Sequence, residues 1–296
     1  MTESEEEIPA SEPVEPEEVT ETVSMPTYNA GTATVDYVDG EGYSSSHEAT
    51  LLTGNETELA AGWYTIDQDI SYDHTLFLGS GEVNIILTDG NTISFGSEDS
   101  RISADMGAIC VSQEALDSGN SALSIFGQTD NLGSLEIYSD GNAVTASTFN
   151  IFGGNVTLDG TKAGLVGMGA VSYGFYMRRG NLIVTGIYSV FPYDVTIGIK
   201  MSNNSLNVTP ASSPRFEEES GCSIRTEGDV DLLCGKVYLT GDVVAPDIGL
   251  SWSANDATEY VITAPGSDSS TDLEITFQAR RQAGLFFAFI LAENPI

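Results

Sequence analysis

Between about residues 60 and 250 one short unit recurs: glycine, a polar residue, an apolar residue, any residue, a second apolar residue, and soon another glycine. Copies run from Gly81 to Gly90, Gly133 to Gly141, Gly154 to Gly160, Gly180 to Gly186, Gly228 to Gly235 and Gly235 to Gly241. Alternation with a period of two puts the apolar side chains on one face of an extended strand. Glycine at each end lets the chain turn where a Cβ would clash. A helical period of 3.6 is missing from this stretch, and few capping residues precede helix formers. The pattern predicts an all-β solenoid, a right-handed parallel β-helix over residues 60–250. The copies at Gly133, Gly154 and Gly180 are spaced for one coil of two or three strands each. The step from Gly228 to Gly235 instead suits neighbouring strands within one coil. Each coil adds about 4.8 Å to the stack. The competing fold is a β-sandwich, for which Asp89-Gly90-Asn91 and Asp140-Gly141-Asn142 would supply hairpin turns.

The flanks read differently. Residues 1–27 begin with a run rich in glutamate and proline that holds too little apolar surface to offset its ordering entropy, and they read as a disordered, extended acidic spacer. Residues 28–59 read as a lead-in or N-terminal cap, with a strand-like stretch at 33–38 and a turn at Asp39-Gly40. Residues 251–296 read as a C-terminal β cap, a hairpin of 273–277 with 285–291 that shields the last coil's unpaired edge.

The chain holds 44 acidic and 10 basic residues among 296, a formal charge of −34. Phosphate binding needs clustered cations, so nucleic acid is not expected as a partner. An anionic membrane surface is disfavoured for the same reason. The apolar run at 285–292 is too short to span a bilayer, and no direct membrane insertion is expected. Met1 is followed by acidic rather than basic and apolar sequence, so export would rest on a leader outside this chain. Cys110, Cys222 and Cys234 lack metal spacing. Cys222 and Cys234 would pair only if their strands lie side by side; otherwise all three are small buried residues.

Residues 61–72 (AGWYTIDQDISY), 81–90 (GEVNIILTDG) and 121–128 (SALSIFGQ) form an ordered series. It resembles the opening of β-helix surface proteins of gut and anaerobic bacteria, of the carbohydrate-binding or adhesin-like type. Residues 153–158 (GGNVTL) resemble their coil motif. The resemblance covers roughly residues 50–160, and more loosely extends to 245. It implies an extracellular or cell-surface location and binding of polysaccharide or a host or matrix ligand without catalysis. Calcium is the cofactor that some relatives of this type use.

Asp89, Asp140 and Asp159 each precede a glycine that closes a repeat. Stacked in a ladder they would offer oxygen ligands to calcium; the plainer reading is aspartate bonding the local backbone at a turn. Trp63, with Tyr64, would stack on a sugar ring if exposed, or close the first coil if buried. Tyr173 and Phe175 share one strand face and Tyr176 takes the other, so one face would form a glycan platform, with Arg178 to grip carboxylates. Arg178 or Arg179 would be the catalytic base in the alternative reading, a polysaccharide lyase; a hydrolase would need close aspartates such as Asp229 and Asp231. No second catalytic signature accompanies either arginine, and His47 and His74 stand alone. A third reading is a structural stalk that displays other domains.

Overall fold

The computed structural model describes residues 31–118, 121–167, 172–189, 194–199, 204–226, 230–232, 236–244, 248–250, 259–264 and 273–278. Strands make up most of their regular structure, with one short α-helix, Gln113–Ser118, and a 3-10 turn, Glu217–Glu219. Strands are rich in Val, Ile, Leu and aromatic residues, which fit a pleated, half-buried surface. Among the described residues no helix is long and apolar enough to cross a membrane.

The strands sort into three sheets that the chain visits in rotation. The strand Gly81–Leu87 belongs to the first sheet, Thr92–Phe95 to the second and Ile109–Val111 to the third. The chain then returns to the first sheet at Ser121–Gly127. Each strand lies parallel to the one a full circuit earlier. The topology is that of a coiled stack with three parallel sides, consistent with a β-helix or solenoid, and the described residues form no face-to-face sandwich of antiparallel sheets.

The register fixes the core. In the first sheet Val83 lies over Leu123, then Phe149, then Phe175. In the second, Ile93, Leu135, Val156, Leu182, Leu206 and Val237 follow one another. In the third, Leu76, Ile109, Val144, Leu165, Ile187 and Ile224 do so. All three files point inward into one continuous apolar core. Like therefore stacks on like: the Phe149 and Phe175 rings lie parallel with centroids 6.0 Å apart, and Tyr72 and Phe95 at 4.6 Å. Each fully buried side chain of this size contributes about 1.5–3 kcal/mol.

The glycine unit is in register where its spacing suggested. Asn155 lies over Asn181, so the glycines before them, Gly154 and Gly180, meet at the corner of successive coils. Gly180 has φ +86°, and a Cβ there would lie 2.5 Å from the Gly154 carbonyl oxygen. The copies are not all one sheet, however. Those from Gly133, Gly154 and Gly180 build the second sheet, whereas the copy from Gly81 builds the first. Val230–Leu232 and Lys236–Thr240 are neighbours within one coil, as the short step there predicts.

Both flanks reverse the chain. Thr32–Val38 pairs antiparallel with Ser44–Leu51, whose end joins the first sheet beside Gly62–Thr65. At the other end Glu259–Ala264 continues the parallel second sheet, so the stack extends past residue 250. Leu273–Gln278 then turns back antiparallel on that strand, where the sequence pointed to 285–291 as its partner. Residues 285–291 and 1–27 lie outside the described residues.

Candidate functional site: the open face of the second sheet

The three outer faces have different surroundings. Over its early coils the first sheet is roofed by the N-terminal hairpin. Trp63, Ile86, Phe126 and Phe152 project outward from successive strands, and Val35 and Tyr37 of the hairpin pack down on them. The Trp63 ring stacks on His47 at 4.5 Å and meets Tyr37 and Phe126 at 5.0 Å. Val38 bridges to Gly127, which seals the roof. At the hairpin tip Glu41 forms an ion pair with Arg178.

On the third sheet the outward Val166 and Tyr188 are buried with Ala163, Ala211 and Cys222 in a satellite cluster. The Tyr188 hydroxyl donates to the Cys222 carbonyl at 2.7 Å and accepts from the Ala211 N–H, and burial pushes its pKa up to about 12. Thr145 donates to the Met106 carbonyl. A small pocket beside Tyr188, lined by Lys162, Arg215, Phe216 and Glu219, encloses about 10 Å³, room for a single water. Lys162 there is paired with Asp105 at 2.8 Å, which holds the Asp105 carboxyl below its ordinary range.

Among the described residues no segment forms such a roof over the second sheet. Because its core file occupies alternate positions, the intervening residues form outward rows. One row runs Ser134, Asn155, Asn181, Ser205, Lys236; the next runs Glu136, Thr157, Ile183, Asn207, Tyr238. The third holds Tyr138 over Asp159, and Thr185 over Thr209. Asn181 donates to the Asn155 side-chain oxygen at 2.8 Å, and Asn155 donates to the Asn131 carbonyl at 3.2 Å. Ile183 is 54% exposed, unusual for an isoleucine in the middle of a strand. The face is rich in hydroxyl and amide groups and is interrupted by Tyr138, Ile183 and Tyr238.

The anticipated site residues scatter. Phe175 is fully buried in the core and cannot belong to an outer platform. Tyr176 does face outward, 39% exposed, beside Asn150; the Tyr173 side chain lies outside the described residues. Trp63 neither closes the coil nor stands free for a sugar, because the hairpin covers it. Arg178 is committed to Glu41, and Arg179 follows it, half-buried, at the corner. The lyase reading thus loses one of its two candidate bases to an ion pair. The hydrolase candidate Asp229 lies outside the described residues, as does the Asp231 side chain.

The aspartates form no ladder. Asp89 sits at the corner between the first and second sheets, where its carboxylate accepts the Leu132 N–H at 2.7 Å and the Asp130 N–H at 3.2 Å. Asp140 sits at the corner after the second sheet and aligns with Thr161, which donates to its carbonyl. Asp159 lies within a second-sheet strand, opposite Tyr138, and Arg101 grips it with two bonds of 2.7 and 3.1 Å. That pairing raises the Arg101 pKa further. Asp89 thus bonds backbone of the following coil rather than that of its own turn, and Asp159 has a guanidinium where calcium was expected. Among the described residues no group of three or more His, Cys, Asp or Glu side chains is placed to hold a metal ion.

Cys110 and Cys222 are both buried, and burial pushes the Cys110 thiol up to about 11. Cys234 lies outside the described residues. His74 is less isolated than its sequence neighbourhood implied. Nδ1 lies 2.9 Å from the Asp73 carboxylate and Nε2 2.9 Å from the Glu56 carbonyl. Both partners are acceptors, so both ring nitrogens carry protons in this arrangement.

Comparison with protein-family models, with curated proteins and with solved structures returns no match, so any assignment rests on the residues of this chain.

Proposed function

We propose that the chain is a right-handed parallel β-helix that acts at the cell surface or outside it, binding polysaccharide without catalysis across the outer face of the second sheet. The handedness follows the rule that parallel crossover connections in one sheet are right-handed in the great majority of cases. The observation that carries the binding reading is the contrast between faces. Internal segments cover the first sheet over its early coils and the third sheet around Tyr188, while rows of Asn, Ser, Thr and Tyr on the second sheet stay open. Amide and hydroxyl side chains serve as both donors and acceptors, as a sugar's hydroxyls require. Tyr138 and Tyr238 add an apolar body with a polar tip, suited to the C–H face of a ring. The surface resemblance of residues 61–72, 81–90 and 121–128 agrees with such a role.

A glycan array probed with the protein, with calcium and with a chelator, tests the reading. Binding to one or more glycans should be lost in a Tyr138→Ala/Tyr238→Ala double variant that retains its circular dichroism spectrum. Binding unchanged in that variant would move the site elsewhere. Failure to bind any glycan would favour the stalk.

A further inference from the structure

Building on that reading of the second sheet, we infer that its ligand is an uncharged, repetitive glycan chain that lies along the stacking axis, crossing the strands rather than following one. Two independent observations carry this.

The first is charge. The protein carries −34 overall, a field that repels polyanions and concentrates cations around it. The central outer rows nevertheless present Asn155, Asn181, Ile183, Asn207 and Thr209, all neutral. Of the charged residues in these rows, Asp159 is cancelled by its two-bonded contact with Arg101, and the others stand toward the ends, Glu136 on one side and Lys236 followed by Glu259 on the other. A polyanion would lose affinity to the surrounding field and find no cation row here to regain it. A polycation would be drawn to the acidic surface elsewhere. A neutral polymer loses nothing to the field and meets groups of its own chemistry.

The second is periodicity. Along a strand the outward residues change at each step, as in Asn181, Ile183, Thr185, and only three fit on one side of the coil. Along the axis the two flanking rows repeat, Asn155 over Asn181 and Thr185 over Thr209, while the middle row varies from strand to strand. The repeat is one strand spacing, about 4.8 Å, close to the length of one pyranose unit in an extended chain. A ligand with a short repeat therefore finds the same partner at successive units only in the axial direction. Seven strands from Thr92–Phe95 to Glu259–Ala264 lie side by side in that direction, against three outward residues across it. Occupation by a second copy is disfavoured, since two chains of −34 repel.

The test is a length series of β-1,4-linked gluco-, xylo- and manno-oligosaccharides from about two to eight units, titrated calorimetrically, with polygalacturonate as the charged comparison. Affinity should climb with length through at least about five units, since each added unit reaches another strand. It should change less than about twofold when salt rises from about 0.05 to 0.5 M. Asn181→Ala, Asn207→Ala and Tyr238→Ala should each weaken binding about three- to tenfold. Tyr176→Ala on the first sheet should leave binding unchanged. Affinity that levels off at two or three units overturns the axial placement. Preference for polygalacturonate, or a steep salt dependence, overturns the neutral ligand; in both cases glycan binding by this face survives. Loss of binding in Tyr176→Ala with the second-sheet variants unaffected overturns the site itself. Self-association abolished by Ile183→Asp would assign the face to a second copy.

Discussion

Two glycines with nearly the same backbone allow the contribution of coil stacking to be separated from backbone strain. Gly90 has φ +81° and Gly180 φ +86°, both in the left-handed region. A Cβ built on Gly90 meets nothing within 4 Å, whereas one on Gly180 lies 2.5 Å from the carbonyl oxygen of Gly154 in the preceding coil. Gly90→Ala should therefore cost only the left-handed strain, about 1–2 kcal/mol. Gly180→Ala adds a clash with main chain, which cannot swing aside as a flexible side chain does. Forcing an extra methyl into such packing costs about 1–3 kcal/mol, for a total of about 2–5 kcal/mol. Urea unfolding followed by circular dichroism reads both, provided the slope of the transition matches that of the unaltered protein. Equal midpoints for the two variants would refute the claim that neighbouring coils approach this closely at their glycine corner.

Other outcomes follow from the same geometry. The bond to Asp73 raises the His74 pKa, with the Glu56 carbonyl adding to it, and the same bond lowers that of Asp73. The histidine's share of stability is thus complete below its ordinary value of about 6.5 and is lost as pH rises through its higher folded value. The Asp73 share is present above the ordinary carboxylate range and vanishes as pH falls through its lower folded value. A His74→Phe variant should flatten the urea midpoint against pH on the alkaline side; an unchanged profile would contradict the double hydrogen bond. Cys110, buried and with its thiol pushed up to about 11, should resist iodoacetamide at neutral pH until the protein is unfolded, read by mass spectrometry. Glu41→Gln should change global stability by less than about 1 kcal/mol yet speed proteolysis at the Asp39–Tyr43 turn, where the ion pair to Arg178 pins the hairpin tip.

Much of the stack was legible because its determinants are local. Glycine brackets and a two-residue alternation mark the second-sheet strands at Gly133, Gly154 and Gly180 without any knowledge of distant residues. The third sheet was harder to see: Ile109–Val111 and Ile187–Ser189 are three residues long, too short for alternation to stand out. The candidate face was written in the repeat itself, since its polar and variable positions are the outward rows holding Asn155, Asn181 and Ile183. Polar outward rows of this kind carry no local signal as strong as the aromatic and charged clusters around Trp63 and Arg178. The exposure of those clusters depends on contacts remote in sequence. Nothing near Trp63 announces that His47 and Tyr37 will cover it, and nothing near Arg178 announces Glu41. The aspartates failed for a related reason, since whether an Asp before glycine ends a strand or lies within it depends on register. Asp159 lies within one, because Gly160 is itself the last strand residue.

The roof over the first sheet also has a consequence for how the molecule comes apart. In a stacked array each coil ordinarily feels only its immediate neighbours, and melting can begin at any weak joint. The N-terminal hairpin breaks that rule by touching Trp63, Ile86, Phe126, Phe152 and Arg178, one from each of five successive circuits. Those five circuits are thereby bound into a single cooperative block, whereas later circuits hold on only neighbour by neighbour. Amide exchange should accordingly show one shared opening event for the circuits from residue 62 to residue 178, and a graded series of separate openings toward the far end.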